Sequence, residues 1–375
     1  MVAQARGFTL EVADSFDTGL AVTQEEWDGL LSRAASNVVF LTKQWQEIWW
    51  RHFGGAAGCK LHLLVLRDGG GALVGLAPLF IARKPLPPAL EYKRGVLRPE
   101  GEGAPLRTAQ IVGGKDVADY LDVIAEPGRM EDVWTCVLDY LVERRGEWDA
   151  IDFHSLPEWS PSREMVARLG AERGLEFRVF PEDVSPVAEL PGDWNTYLMG
   201  LRNKDRHELK RKVRKLEGRD DVRWHLVPTG DVEVMRREME VFLALHRSSG
   251  VDKAHFMDDK MAAYFIDMAE HMTGPGWLDL AVMEVDGEPA SAYLSYKYGD
   301  RLYLYNSGYS QRFAKYSAGV ALLAYRIHKA ILQGIRWFDF LRGDEDYKYD
   351  FGAKDTYVYR ALALADEGRR TKDEG

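Results

Sequence analysis

Cysteine is nearly absent from this chain. Two occur in 375 residues, Cys59 and Cys136, far apart. They make no metal-ligand spacing and no disulfide framework, which excludes a cystine-stapled scaffold and fits a reducing cytosol. Long apolar runs are missing too. No stretch of about 18 apolar residues occurs, so no membrane span is expected. The first residues, Met1 to Gly7, lead to Glu11 without an apolar h-region. No signal peptide and a cytoplasmic location are therefore the expectation. Excess positive charge is lacking as well. The net charge of −10 argues against sequence-independent nucleic-acid binding, which rests on phosphate neutralisation. No metal site is expected.

What is present is a long, ordinary globular composition. At roughly 150 residues per domain, the length predicts two or three units. A hydrophobic share of 46% is enough to bury real cores. Eleven Trp and 17 Tyr are many for this length and point to packed interfaces or aromatic-lined grooves.

The first half reads as mixed α/β. Thr23 with Glu25 and Glu26 marks a helix start, followed by Trp27, Leu30 and Leu31. Thr42 can cap a second helix through Trp45, Ile48, Trp49 and Phe53, closed by Gly54-Gly55. Strands at 61–66 and 73–82 flank an Asp68-Gly69-Gly70-Gly71 turn, a hairpin signal. Residues 84–115, rich in Pro and Gly, read as irregular with a short strand near Ile111. Helix 131–144, strand 150–154, helix 162–173 and strand 176–180 follow.

Pro181 to Gly192 carries three prolines and little periodicity. It sets the expected boundary between residues 1–190 and 191–375. Residues 194–217 then read as one helix, with Leu198, Leu201, Leu209, Val213 and Leu216 at helical spacing. The second half repeats the plan of the first: helices at 231–247 and 257–272, then a hairpin of strands 278–285 and 289–297. Leu61, Leu63 and Val65 match Leu278, Leu280 and Val282 in order. Beyond it come strand 301–309, a helix opened by Ser317 and running to Gly334, strand 337–341, polar segment 342–352 and strand 357–364. The tail after Asp366 is charged and is expected to be disordered.

Four stretches carry a family resemblance: Leu302-Tyr303-Leu304-Tyr305-Asn306-Ser307-Gly308-Tyr309, Tyr316-Ser317-Ala318-Gly319, Phe338-Asp339-Phe340-Leu341-Arg342-Gly343-Asp344-Glu345-Asp346-Tyr347-Lys348, and Leu76-Ala77-Pro78-Leu79. With the order of elements, they resemble the CelD-like GNAT acetyltransferases, relatives of the Fem-type peptidyltransferases. The resemblance implies an α/β (α+β) fold of two tandem GNAT-like lobes facing a cleft, each a mixed twisted sheet flanked by helices. It implies acetyl-CoA or another acyl-CoA as co-substrate. The acceptor would be a small molecule or glycan precursor, with the first lobe on the acceptor side and the second on the donor side. Fem-type relatives take the acyl group from aminoacyl-tRNA, which stands as the alternative donor. A catalytically degenerate scaffold in polysaccharide biosynthesis is a third reading. One departure is visible: the loop Gln311 to Gly319 has one glycine where the family's pyrophosphate loop has two.

The residues themselves point to acyl-transfer chemistry. Pyrophosphate takes backbone N–H groups and the positive end of a helix dipole. Ser317 to Gly319 would supply both, and Arg312 and Lys315 would neutralise charge. Alone, these residues also read as a plain cap with solvated cations. The resemblance implies that Asn306 and Ser307 sit where the first of two parallel strands splays to admit a thioester; by themselves they also read as simply ending the strand. Arg342, Asp344, Glu345, Tyr347 and Lys348 follow the C-terminal end of the next strand, where open α/β sheets place ligands. Asp344 or Glu345 would act as base on the amine, directly or through water. The resemblance makes Tyr347 the acid for the thiolate. Lys348 or Arg342 would grip an anionic acceptor. A solvated charge run is the competing account.

Gln44, Trp45 and Tyr305 are further candidates for contact with substrate, against a core role for the aromatics. His246 ends a helix, where the dipole accounts for it better than catalysis does. Arg202, Lys204, Arg206, Lys210, Arg211, Lys212, Arg214 and Lys215 crowd one helix. They read as a solvated face, or as a phosphate-binding patch for a tRNA or another anionic partner.

Overall fold

A computed structural model describes residues 3–5, 7–16, 22–55, 58–85, 89–93, 96–100, 105–114 and 116–365. The charged tail beyond Ala365 lies outside them. The chain divides into two compact units, residues 1–184 with 357–375, and residues 185–356.

The first unit runs in order β1 (Ala3–Ala5), β2 (Phe8–Ala13), α1 (Gln24–Leu31), α2 (Lys43–Phe53), β3 (Lys60–Asp68) and β4 (Leu73–Pro85). The hairpin β5 (Ala89–Lys93) and β6 (Val96–Glu100) follows, then β7 (Pro105–Ile111), β8 (Ile124–Ala125) and α3 (Met130–Glu143). β9 (Ala150–Pro157), α4 (Ser162–Ala171) and β10 (Arg178–Val184) complete it. Local chemistry starts the first two helices where the sequence predicts. Thr23 and Glu26 form a reciprocal capping box on α1, and Thr42 caps α2. Residues 84–115 are more regular than expected, because β5 pairs β6 and β7 pairs β4 along its whole length.

The second unit comprises β11 (Val187–Glu189), α5 (Trp194–Gly200), α6 (Asn203–Arg214), β12 (Val222–Leu226), α7 (Val232–Ser248), α8 (Val251–Phe256) and α9 (Asp259–Thr273). β13 (Leu278–Val285), β14 (Glu288–Tyr298), β15 (Arg301–Tyr309), α10 (Ala318–Leu332), β16 (Trp337–Asp339) and α11 (Asp346–Asp350) follow. The chain then returns to the first unit as β17 (Tyr357–Leu364).

The sheet orders are β1-β2-β3-β4-β7-β9-β17-β10, with β8 also on β4, and β11-β16-β15-β14-β13-β12. Each sheet holds one parallel pair, β7 with β9 and β15 with β16. In both, a helix connects the parallel strands, and in both a long antiparallel hairpin precedes them. The repeat seen faintly in sequence is therefore a repeat of architecture.

Two expectations are corrected. Residues 194–217 are two helices. Leu201 is extended (φ −72°, ψ 150°) between α5 and α6, which turns its side chain into the core beside Gly352. The last strand, expected in the C-terminal lobe, belongs to the first sheet. Arg360 on β17 makes two hydrogen bonds to the buried carboxylate of Asp152 on β9, at 2.6 and 3.0 Å.

The second core is built from α10 (Leu322, Leu323, Ile327), β15 (Leu302, Leu304) and the leucines of α5 and α6. On the other side, α7 presses on β15. A carbon added at Gly308 would lie 2.5 Å from the backbone nitrogen of His246. At Gly319 an added carbon meets Tyr293 Oη at an ordinary 3.5 Å. Gly308→Ala should therefore cost about 2 kcal/mol, the range of overpacked cores. Gly319→Ala should stay within roughly 0.5 kcal/mol of the parent. Urea unfolding of the two variants checks the contrast.

Candidate functional site

The second sheet opens beside its parallel pair. β15 and β16 are in register only from Arg301–Trp337 to Tyr303–Asp339. β16 then stops while β15 continues to Tyr309. The β14–β15 register shifts between Leu294 and Ser295, leaving Tyr305 as the extra residue of a bulge. At the end of β16, Leu341 turns the chain away with φ 58°. Its N–H is held by Asp339 Oδ1, and Asp339 is itself buried against Arg301 at 2.8 Å.

Beside this divergence lies a pocket of about 300 Å³. Ala290 and Tyr293 of β14, Ser307 and Tyr309 of β15, Phe313 and Ala314 of the following turn, the start of α10, and Tyr347 and Phe351 line it. That volume is at the lower end for ligand pockets, and the lining is mostly apolar with a few polar groups, as such sites require.

The start of α10 supplies polarity. Ser317 is left-handed (φ 56°, ψ 39°), and its side chain makes no cap. The first helical bond runs from Ala321 N–H to Ser317 C=O. The amides of Ala318, Gly319 and Val320 precede it and have no acceptor within the helix. Tyr293 donates its hydroxyl to Gly319 C=O at 3.2 Å. In this unit three non-glycine residues have positive φ: Asp286, Ser317 and Leu341. Asp286 belongs to the Asp-Gly hairpin turn, whose geometry demands it. The other two stand at the start of α10 and the end of β16, and strain of this kind gathers at functional sites.

Cations collect outside the loop. Lys315 lies 4.8 Å from the Tyr316 ring, Arg219 4.7 Å and Lys215 6.0 Å, and Lys215 donates to the carbonyl of Lys315. Arg312 is paired with Glu288. The expected basic face of 202–215 is partly neutralised, Arg202 by Asp205 and Asp350, Arg211 and Lys212 by Glu208.

Of the residues singled out from sequence, Ser307, Ser317, Gly319 and Tyr347 share the pocket. Burial pushes the Tyr347 phenol well above the ordinary tyrosine range, with the charge of Glu345 adding to it, so it stays protonated. Asn306 closes the amide of Ser307 with its own Oδ1 at 2.9 Å. Asp344 and Arg342 lie half-buried in the turn after β16, and Glu345 is exposed. Other residues expected to contact substrate lie outside this pocket. Lys348 is buried, and its Nζ donates to the carbonyls of Leu341, Arg342 and Gly343 and pairs with Glu345 at 2.9 Å. It clasps the turn. Trp45 is wholly buried edge-on to Phe40, on the inner face of α2, and Gln44 of the first unit accepts from Gln24. Tyr305 packs on Phe265 and Tyr296, 5.4 and 5.2 Å away, and does not line the pocket.

Two groups gain importance. His246 is 1% exposed, and among the described residues its Nδ1 has no hydrogen-bond partner. Burial, with Lys253 and Arg247 nearby, lowers its pKa to about 4. Lys253, on the short α8, donates to Ser307 C=O at 2.6 Å and to Ser307 Oγ at 3.2 Å. Residues 251–256 offered no signal in sequence beyond one lysine and one histidine between longer helices.

Residues 203–349 match the family model described as acetyltransferase (GNAT) domain. No curated protein matches the sequence. Among solved structures, FemX superposes with a TM-score of 0.62 at 12% identity, over 94% of this chain and 99% of that one. L-PGS from Bacillus licheniformis gives 0.53 at 12% identity, over 94% and 93%. A conserved protein of unknown function from Bacteroides thetaiotaomicron gives 0.53 at 10% identity, over 92% and 99%. These likenesses establish the fold. Among the described residues, no group of three or more His, Cys, Asp or Glu could hold a metal ion, and no helix is long and apolar enough to cross a membrane.

The buried histidine predicts a pH dependence. His246 titrates near 4 when folded against an ordinary 6.5, so the folded state resists the proton. Its contribution to stability is fully present above pH 6.5 and is lost as the pH falls from 6.5 toward 4. His246→Leu should flatten the fall of Tm across that window relative to the parent protein, as read by thermal unfolding in a pH series.

Proposed function

We propose that the second unit binds an acyl thioester of coenzyme A and transfers its acyl group to an amine, carried on a sugar or polysaccharide precursor. The observation that carries this reading is the pocket itself. It lies where a parallel strand pair diverges, at the start of a 15-residue helix whose first amides lack helical acceptors.

The residues present suit such a donor. The amides of Ala318, Gly319 and Val320, with the helix dipole, would take the pyrophosphate. Lys315, Lys215 and Arg219 would balance its charge. When bound, the thioester supplies an activated acyl carbon. The Ser307 amide would polarise its carbonyl once Asn306 Oδ1 gives way, a preorganised donor of the oxyanion-hole type. Tyr347, held neutral, would hydrogen-bond the departing sulfur and hand it a proton. Asp344 or Glu345 would take the proton of the amine, directly or through water.

The cations around Tyr316 favour a second reading, with aminoacyl-tRNA as donor. Its mark is tRNA binding that weakens steeply with salt. Binding of CoA without turnover on any amine would instead indicate a scaffold.

Thermal unfolding with CoA, acetyl-CoA and longer acyl-CoAs tests the first reading. A ligand at a hundred times its Kd adds about 2.7 kcal/mol to stability. The expected result is a clear rise in Tm with acyl-CoA. Gly319→Leu, which projects a side chain into the pocket, should abolish it while leaving the unliganded Tm nearly unchanged. No shift with any CoA species would sink this reading.

A further inference from the structure

Most buried cations of the second unit are neutralised. Arg326 is paired with Asp279 at 2.5 and 2.6 Å, Arg301 with Asp339, and Lys348 with Glu345. Lys253 differs. Its hydrogen bonds go to the two oxygens of Ser307, and among the described residues it has no carboxylate within ion-pair distance. Buried cations normally have a counter-ion, because water no longer screens them. A half-buried lysine without one is an amine available for chemistry.

Its position gives that amine a partner. Ser307 lies on the part of β15 that β16 leaves unpaired, and it lines the pocket. Lys253 Nζ is within 3.2 Å of both Ser307 oxygens, so it stands one hydrogen bond from the pocket wall. His246 lies nearby on α7, uncharged near neutral pH. Glu345 is the carboxylate whose charge acts on Lys253. Lys348 is the fully buried lysine of this unit, and its Nζ is committed to three carbonyls and to Glu345.

We propose that Lys253 is an acylation site of the protein's own, modified on Nζ by the acyl thioester that the pocket holds. The inference rests on the acyl-CoA reading above. In the step, the lone pair of neutral Nζ adds to the acyl carbon. The new C–N bond forms, the C–S bond breaks with its electrons on sulfur, and the proton lost by Nζ passes to the thiolate. The products are Nε-acyl-lysine and free CoA thiol, and no oxidant or reductant is needed. Burial favours the neutral amine by pushing Lys253 below the ordinary lysine value, against the opposing pull of Glu345. Acylation removes the charge, so an acylated pocket wall would meet the next acceptor without its cation.

The experiment uses the purified full chain with acetyl-CoA. Acetyl groups are located by peptide mass spectrometry over time, and Tm is read on the same samples with and without CoA. Lys210, exposed on α6, reports spontaneous chemistry. Held beside the bound donor, Lys253 should gain acetyl at least about tenfold faster than Lys210. Excess free CoA should suppress the reaction at Lys253 and leave Lys210 unchanged. Lys253→Arg should keep the CoA-induced rise in Tm and show no acetyl at the position. A rise in Tm with Lys253 unmodified, or modified no faster than Lys210, overturns the proposal and leaves the donor pocket standing. Modification that excess CoA does not suppress overturns it as well, since the pocket would not be its source. No rise and no modification means that both readings fail.

Discussion

Everything in the second unit depends on a parallel pairing that lasts three residues. β16 meets β15 from Trp337 to Asp339 and stops. Asp339 ends it: buried, paired to Arg301, and accepting the N–H of Leu341. Leu341 then turns left-handed, and Lys348 ties three successive carbonyls of the turn to one nitrogen. Gly343, at φ 113°, permits the tie, because residues with a side chain rarely adopt that backbone conformation. The turn in this way brings Tyr347 and Phe351 against the start of α10. Had β16 continued, it would have covered the edge of β15 and filled the space that is now the pocket.

An uncovered strand edge carries polar groups that must find partners. Here side chains meet that need. Asn306 takes the Ser307 amide, Ser249 takes the Tyr309 amide, Lys253 takes the Ser307 carbonyl, and Ser248 and Ser249 take the Tyr309 carbonyl. The distinction from a strand partner is energetic. Displacing one side-chain oxygen for a ligand oxygen exchanges one hydrogen bond for another at little net cost, while leaving the amide empty would cost about 1–3 kcal/mol. The edge is stable without a ligand and still open to one. Gly308 makes the arrangement possible, since it lets the α7 backbone approach β15 closely enough to set Ser248 and Ser249 on Tyr309.

The order of elements was legible because periodicity, caps and turn residues agree locally. Thr23, Thr42 and Asp286-Gly287 each act where the pattern places them. The pocket residues Ser307, Ser317, Gly319 and Tyr347 were legible for a related reason: they follow from a strand–loop–helix–strand order. What escaped was set by tertiary burial. Lys348 reads as one more charge in a polar run, yet it is 2% exposed. Leu201 fits a helical stripe, yet the core takes it at the cost of a break in the helix. Lys253 lies on a six-residue helix too short to show a period. The placing of β17 was not legible either, because Arg360 and Asp152 are separated by 208 positions.

The two units share a plan, and the difference between them argues for where a phosphate-bearing donor would go. On the first sheet, Lys84 of β4, Asp152 and His154 of β9, Glu182 of β10 and Arg360 of β17 form one polar row. Register shifts at Pro181/Asp183 and at Tyr359/Ala361 aim Glu182 and His154 into it. Burial of Asp152 is outweighed by His154, Lys84 and Arg360, which hold its carboxyl well below the ordinary range. A phosphate that drew Lys84 or Arg360 out of this row would strand that carboxylate, and breaking a buried pair costs about 3–5 kcal/mol. The second unit presents helix amides without helical acceptors, and cations beside an aromatic ring of which Arg219 is paired with Asp221 at the surface and not with a buried carboxylate. The same fold is locked internally in one copy and left receptive in the other.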